Sequence, residues 1–132
     1  MRVVALDHLV LTVRDITRTC AFYESVLGMK TVAFGAGRTA LAFGVQKINL
    51  HEVGKEFEPK ANRPTPGSAD LCFLADSALA EVVAHLKRLG VSLVEGPVER
   101  TGAAGTIDSV YIRDPDANLV EIAVYQSARA KR

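Results

Sequence analysis

Asp7-His8-Leu9-Val10-Leu11 and Ala69-Asp70-Leu71-Cys72-Phe73 are one pattern written twice, 62 residues apart. Leu9 meets Leu71 and Leu11 meets Phe73, and the same shift carries Leu27-Gly28-Met29 onto Leu89-Gly90-Val91. Each copy alternates as a strand does, so Leu9, Leu11 and Val13 share one face while His8, Val10 and Thr12 share the other. Asp15 is a suitable N-cap for a helix over about 16–27, with an apolar stripe of Ile16, Cys20, Tyr23, Val26 and Leu27 and Gly28 at its end. Strands follow at 30–34 and 38–44, around Gly35-Ala36-Gly37, and at 46–53. The second half restarts with a strand at 69–75. Asp76 or Ser77 then caps a helix striped by Leu79, Val82, Val83, Leu86 and Leu89 and closed by Gly90. Short strands are expected near 91–95, 107–113 and 118–125, the last two flanking the turn Asp114-Pro115-Asp116-Ala117-Asn118.

Each half is therefore β-α-β-β-β, an α+β arrangement. A lone helix covers only one face of its sheet. Two such repeats are expected to form a cupped, half-barrel mixed sheet with the helices outside. A chain of 132 residues suits a single domain. Its expected parts are repeat one over about 4–53, a connector over 54–68, repeat two over about 69–125 and a tail over 126–132. The connector is polar, holds three prolines and has no periodicity.

Hydrophobic residues make up 48% of the chain and the net charge is +1. That balance suits an ordered globular protein and supplies no field for nucleic acid or an anionic membrane. The N-terminal apolar run is too short for a signal peptide, and no stretch approaches a spanning helix. Cys20 and Cys72 lack metal-type spacing and read as small apolar residues, consistent with a cytoplasmic setting. The basic tail reads as a frayed terminus.

The repeat also sorts the polar residues. His8 and Asp70 occupy equivalent places on the cup side. Ile48-Asn49-Leu50-His51 matches Val120-Glu121-Ile122-Ala123 at a shift of 72, and the ten extra residues are expected in a longer loop around 97–106. Asn49, His51 and Glu121 then join His8 and Asp70. An ionised glutamate between Val120 and Ile122 is costly to bury unless paired or metal-bound. Imidazole and carboxylate together are ligand chemistry for Zn, Ni, Mn or Fe(II). Each residue has a plainer reading. His8 is an ordinary strand histidine, Asp70 a strand-entrance cap, Glu121 a partner of Arg113, and His51 a solvated strand end. On the strand entering the last hairpin, Ser109, Tyr111 and Arg113 share the cup parity if Val110 and Ile112 face the helix. Arg100, in the expected loop, is either an exposed charge or a clamp for a carboxylate or phosphate.

Three stretches carry a resemblance: Leu6-Asp7-His8-Leu9-Val10-Leu11-Thr12-Val13, Phe22-Tyr23-Glu24-Ser25-Val26-Leu27-Gly28-Met29, and Arg113-Asp114-Pro115-Asp116-Ala117-Asn118-Leu119-Val120-Glu121. Over about 4–125 the chain resembles the vicinal oxygen chelate (glyoxalase/bleomycin resistance/dioxygenase) superfamily. Gln46–Gly54 and Gly96–Ala103 look most like its glyoxalase-domain-containing-protein-5 group. The resemblance implies a metal held from the cup strands, with His8 at the first-strand histidine and Glu121 at the last-strand glutamate. Asp70 stands where many members have a second histidine, and Asn49 where the glyoxalase I pattern has glutamate. Ser109 and Tyr111 match the spacing that fosfomycin resistance proteins use to touch substrate.

The expectation is a divalent-metal-dependent, glyoxalase-like enzyme acting on a small molecule with vicinal oxygens. Metal ligands are drawn from His8, Asp70, Glu121 and His51, with Glu121 also catalytic and Tyr111, Ser109, Arg113 and Arg100 binding substrate. One ion of Mn, Fe(II), Ni or Zn would stabilise an enediolate or alkoxide. The alternatives are a metal-free small-molecule or antibiotic-binding protein and an extradiol-type dioxygenase. With no Trp, three Tyr and five Phe, a stacking cleft for a large planar ligand is less favoured. A homodimer is expected from the apolar sheet edges.

Overall fold

The computed structural model describes residues 1–126. The chain divides into two compact units, one over Met1–Ala69 and one from Asp70 onward. The tail expected to fray, Ser127 onward, lies outside the described residues.

The first unit runs β1 (His8–Val13), α1 (Ile16–Leu27), β2 (Lys30–Phe34), β3 (Arg38–Phe43) and β4 (Gln46–Glu52), with sheet order β1-β4-β3-β2. β1 and β4 are parallel, with Leu9 beside Ile48 and Leu11 beside Leu50, and the remaining pairs are antiparallel. Asp15 caps α1 by accepting from the Arg18 amide at 3.0 Å, and Gly28 closes it in the left-handed region at φ 67°. Thr31 fixes which sheet face the helix covers. It donates to Glu24 of α1, and it shares its face with Leu41, Ile48 and Leu9. Tyr23, Leu41, Ile48, Leu50 and Val13 are fully buried there. Each such side chain contributes about 2 kcal/mol of burial.

The second unit repeats this plan: β5 (Asp70–Leu74), α2 (Leu79–Arg88), β6 (Glu95–Gly102), β7 (Gly105–Arg113) and β8 (Leu119–Tyr125), in the order β5-β8-β7-β6. Val110, Ile112, Val120 and Ile122 share one buried face, and α2 adds Val82 and Leu86 to the core. The α+β class and the repeated module therefore hold. The parallel ladders reproduce both sequence shifts. His8 pairs with Lys47 as Asp70 pairs with Leu119, and Val10 pairs with Asn49 as Cys72 pairs with Glu121.

Three local expectations change. Neither Asp76 nor Ser77 caps α2: Ser77 Oγ donates to Asp76 at 3.3 Å, and the N-cap is Ala78 with no side-chain bond. No strand forms over 91–94. The longer loop expected around 97–106 is instead β6 and the start of β7. Gly96, Pro97 and Gly102 argue against a strand, yet β6 lies at a sheet edge, where a missing N–H is tolerated. Its register shifts between Glu95 and Val98, so Pro97 sits in an irregularity of the ladder. Residues 54–68 contain neither helix nor strand, as expected of a connector.

Candidate functional site

The polar residues singled out from sequence lie on the sheet face that alternates with the helix-side core, and each unit presents its own set. In the first unit, register places His8, Val10, Thr12, Lys47, Asn49, His51, Arg38 and Phe34 on one face. His8 is half-exposed. Its Nδ1 lies 2.7 Å from Asp7 Oδ2. A carboxylate can only accept, so Nδ1 carries a proton, and Nε2 is the nitrogen whose lone pair can face a metal ion. That is the arrangement in which an outer carboxylate orients a metal-binding imidazole.

His51 is placed differently. It sits beside Thr12, four residues from the strand position of His8, or about 13 Å along the sheet. One ion does not reach both rings on this sheet. His51 is buried, and its Nε2 lies 3.3 Å from Arg38 Nη2. A guanidinium only donates, so Nε2 accepts and the proton resides on Nδ1. Burial, and then the charge of Arg38, lower the His51 pKa below its ordinary 6.5, while Glu56 and Glu58 oppose the shift. The unfolded chain therefore binds more protons than the native one below pH 6.5. Stability from this group is full above that value and is lost as pH falls through the native pKa. Urea unfolding should show a stability that rises with pH in this window, by at most about 1.4 kcal/mol per pH unit from His51. His51→Gln should remove that component, and an unchanged slope would contradict the assignment.

In the second unit, Asp70, Cys72, Glu121, Ser109, Tyr111 and Arg113 share a face. Ser109 is fully buried, and its hydroxyl donates to Glu121 Oε2 at 2.6 Å. Cys72, the cross-strand neighbour of Glu121, also bonds that carboxylate. Crowding of its sulfur by protein, then the Glu121 and Asp70 charges, push the thiol pKa up to about 11. Cys72 is therefore a protonated donor at neutral pH, not the inert apolar residue its sequence context implies. Asp70 is exposed, two residues or about 7 Å along β5 from Cys72. Tyr111 accepts from Arg100 Nε at 3.0 Å, which leaves its hydroxyl proton for another acceptor. Arg100 stands on β6 rather than in a loop. Its guanidinium is engaged by Glu95 at 3.2 Å and the Glu99 carbonyl at 3.1 Å. Arg113 reaches the Ala117 carbonyl at 3.3 Å, while Glu121 takes its hydrogen bond from Ser109.

Two donors have the orienting partners that metal ligands have: Asp7 for His8, and Ser109 with Cys72 for Glu121. Each donor, within its own unit, has chemistry suited to a divalent ion. Among the described residues, no three His, Cys, Asp or Glu side chains stand close enough to form a metal-holding group. No helix among them is long and apolar enough to cross a membrane.

Sequence reasoning passed over Arg38, Lys47, Phe34 and Phe57. Lys47 was recoverable, since it alternates in step with Asn49 and His51. Phe57 was not, because it lies in the aperiodic connector.

Comparison with known proteins places this architecture. Virulence protein STM3117 of Salmonella typhimurium is 62% identical over 120 residues, covering 91% of this chain and 83% of that protein. Its crystal structure superposes with a TM-score of 0.93 at 60% identity, covering 95% of this chain and 99% of that one. The glyoxalase domain-containing protein RDO1 of Mycosarcoma maydis is 57% identical, covering 95% of this chain and 70% of that protein. Lactoylglutathione lyase of Agrobacterium tumefaciens shares 27% identity at a TM-score of 0.68, covering 91% and 92% of the two chains. With a family model matching residues 5–122, the chain belongs to the Glyoxalase/Bleomycin resistance protein/Dioxygenase superfamily.

Proposed function

We propose that the protein is a divalent-metal-dependent, glyoxalase-like enzyme acting on a small molecule with neighbouring oxygens. His8 of the first unit is offered as a nitrogen donor, and Glu121 and Asp70 of the second unit as oxygen donors. The observation that carries this reading is the pair of oriented donors: the His8 ring held by Asp7, and the Glu121 carboxylate held by Ser109 and Cys72. Likeness to a lactoylglutathione lyase supports the reaction class.

A bound divalent ion would supply Lewis acidity, stabilising negative charge as it develops on substrate oxygens. The protein's own groups do the rest. Ser109 and Cys72 hold the Glu121 carboxylate in place, and that carboxylate takes and returns a proton. Tyr111, accepting from Arg100, turns its hydroxyl proton outward to a substrate oxygen. Ser109 is buried and committed to Glu121, so it positions that carboxylate rather than touching substrate. His51 is not a ligand in this scheme, because its Nε2 is taken by Arg38.

Titration of the dialysed protein with Mn(II), followed by electron paramagnetic resonance, tests the proposal. Wild type should bind saturably, and His8→Ala and Glu121→Ala should each weaken binding by roughly 100-fold. Absence of binding by wild type to Mn(II), Ni(II) and Zn(II), or variants that bind as wild type does, would pass the reading to the metal-free binding alternative.

A further inference from the structure

We infer that the first unit carries an oxyanion-binding subsite built from Arg38, His51 and Lys47, which takes the carboxylate or phosphoryl group of a small organic ligand. The inference goes beyond the metal reading and does not depend on it.

The cluster stands on the β2–β3–β4 face. The Arg38 guanidinium carbon lies 5.1 Å from the Phe34 ring centroid and 4.7 Å from that of Phe57. Lys47 Nζ stands 3.8 Å from the same Phe34 centroid, and His51 tilts against Phe57 at 5.7 Å. Two cations thus share one ring. Among the described residues neither forms an ion pair with a carboxylate. Ring quadrupoles offset only about 0.5–2 kcal/mol of such an arrangement per cation. The nearby acids are engaged elsewhere: Glu56 accepts from the Gly54 amide at 2.7 Å, and Glu58 pairs with Lys60.

The cluster also holds donors that have no acceptor. Arg38 Nε is buried without a partner, and so is Nδ1 of His51, whose residue is 2% exposed. With Nε2 of His51 facing the guanidinium, Nδ1 is the protonated nitrogen, so both orphans are N–H groups. A buried unsatisfied donor costs about 1–3 kcal/mol. An incoming oxyanion would accept from Arg38 Nε and add its charge opposite the guanidinium and Lys47, while His51 holds the guanidinium through Nε2 and its own Nδ1 points away from it; the phenyl rings would shield these bonds from water. Arg100 makes the contrast. It has an internal carboxylate in Glu95 and a hydroxyl in Tyr111, so its charge is already answered. Arg38 has neither.

The probes are inorganic phosphate and acetate, titrated at fixed ionic strength into the full chain and followed by calorimetry and by NMR of the Arg38 Nε–H and His51 ring resonances. Wild type should bind at least one probe saturably, with a Kd below about 10 mM, and both resonances should shift. Arg38→Met should weaken binding at least about tenfold, which is about 1.4 kcal/mol, while Lys55→Met should leave it unchanged. Should Arg38→Met fail to fold, Lys47→Met and the wild-type resonances carry the test. A response to phosphate alone identifies a phosphoryl group, and a response to acetate as well identifies carboxylates. Either outcome supports the subsite. Binding of neither probe, or equal weakening by Lys55→Met, overturns it.

Discussion

Replacing Gly96 by Ala is expected to destabilise the second unit by about 3–5 kcal/mol, the sum of two separate insults. Gly96 has φ +108°, a conformation that L side chains rarely adopt. A Cβ there would also lie 2.6 Å from the Ser109 carbonyl oxygen and 2.9 Å from Val110 Cα. Those are backbone atoms of β7, which is bonded to β8 on its other side and cannot retreat. Gly54→Ala separates the terms. Gly54 has φ +82° and nothing within 4 Å of the added carbon, so only backbone strain remains, about 1–3 kcal/mol. Equal losses of urea stability in the two variants would refute the steric part. In Gly96→Ala, displacement of β6 should also break the Arg100–Tyr111 hydrogen bond.

Asp114→Ala is expected to cost about 3–5 kcal/mol, because it removes the acceptor around which the β7–β8 turn is built. Asp114 is buried. Its Oδ1 accepts from the amides of Asp116 and Asn118, both at 2.9 Å, and its Oδ2 accepts from Asn118 Nδ2 at 2.8 Å. Alanine would leave those three donors without this acceptor. Asp114→Asn should fall between wild type and alanine, since one amide oxygen can serve the two backbone groups while its NH2 opposes that of Asn118. The same ordering should appear in chemical denaturation of the full chain. If alanine is the milder of the two changes, this account of the turn is wrong.

The strands and helices of the first unit follow closely from alternation and spacing, because its elements obey simple periods. Leu9, Leu11 and Val13 mark β1, and Asp15 and Gly28 bound α1. The second unit resisted at β6, where Gly96, Pro97 and Gly102 violate strand preference and only an edge position makes them acceptable. The polar residues were assigned to their faces correctly wherever two parallel strands fixed the parity, as with His8, Asp70 and Glu121. Which side chain bonds which was not readable. Ser109 serves Glu121, Arg100 is tied to Glu95 and Tyr111, and His51 answers to Arg38 rather than to His8. Those pairings depend on strand register and on rotamers, and Phe57 reaches its place from an aperiodic segment that carries no pattern.

The two parallel ladders keep one register although ten more residues separate their strands in the second unit than in the first. About half of that extra length is taken up by the longer β6–β7 hairpin, whose outer strand is the sheet edge, and the rest by the link after α2 and the β7–β8 turn, all outside the β5–β8 seam. Chain length and donor placement are thus mechanically uncoupled. The hairpin tip at Ala103-Ala104 is a place where residues can be inserted, or a label attached, while the column formed by Asp70, Cys72 and Glu121 keeps its spacing.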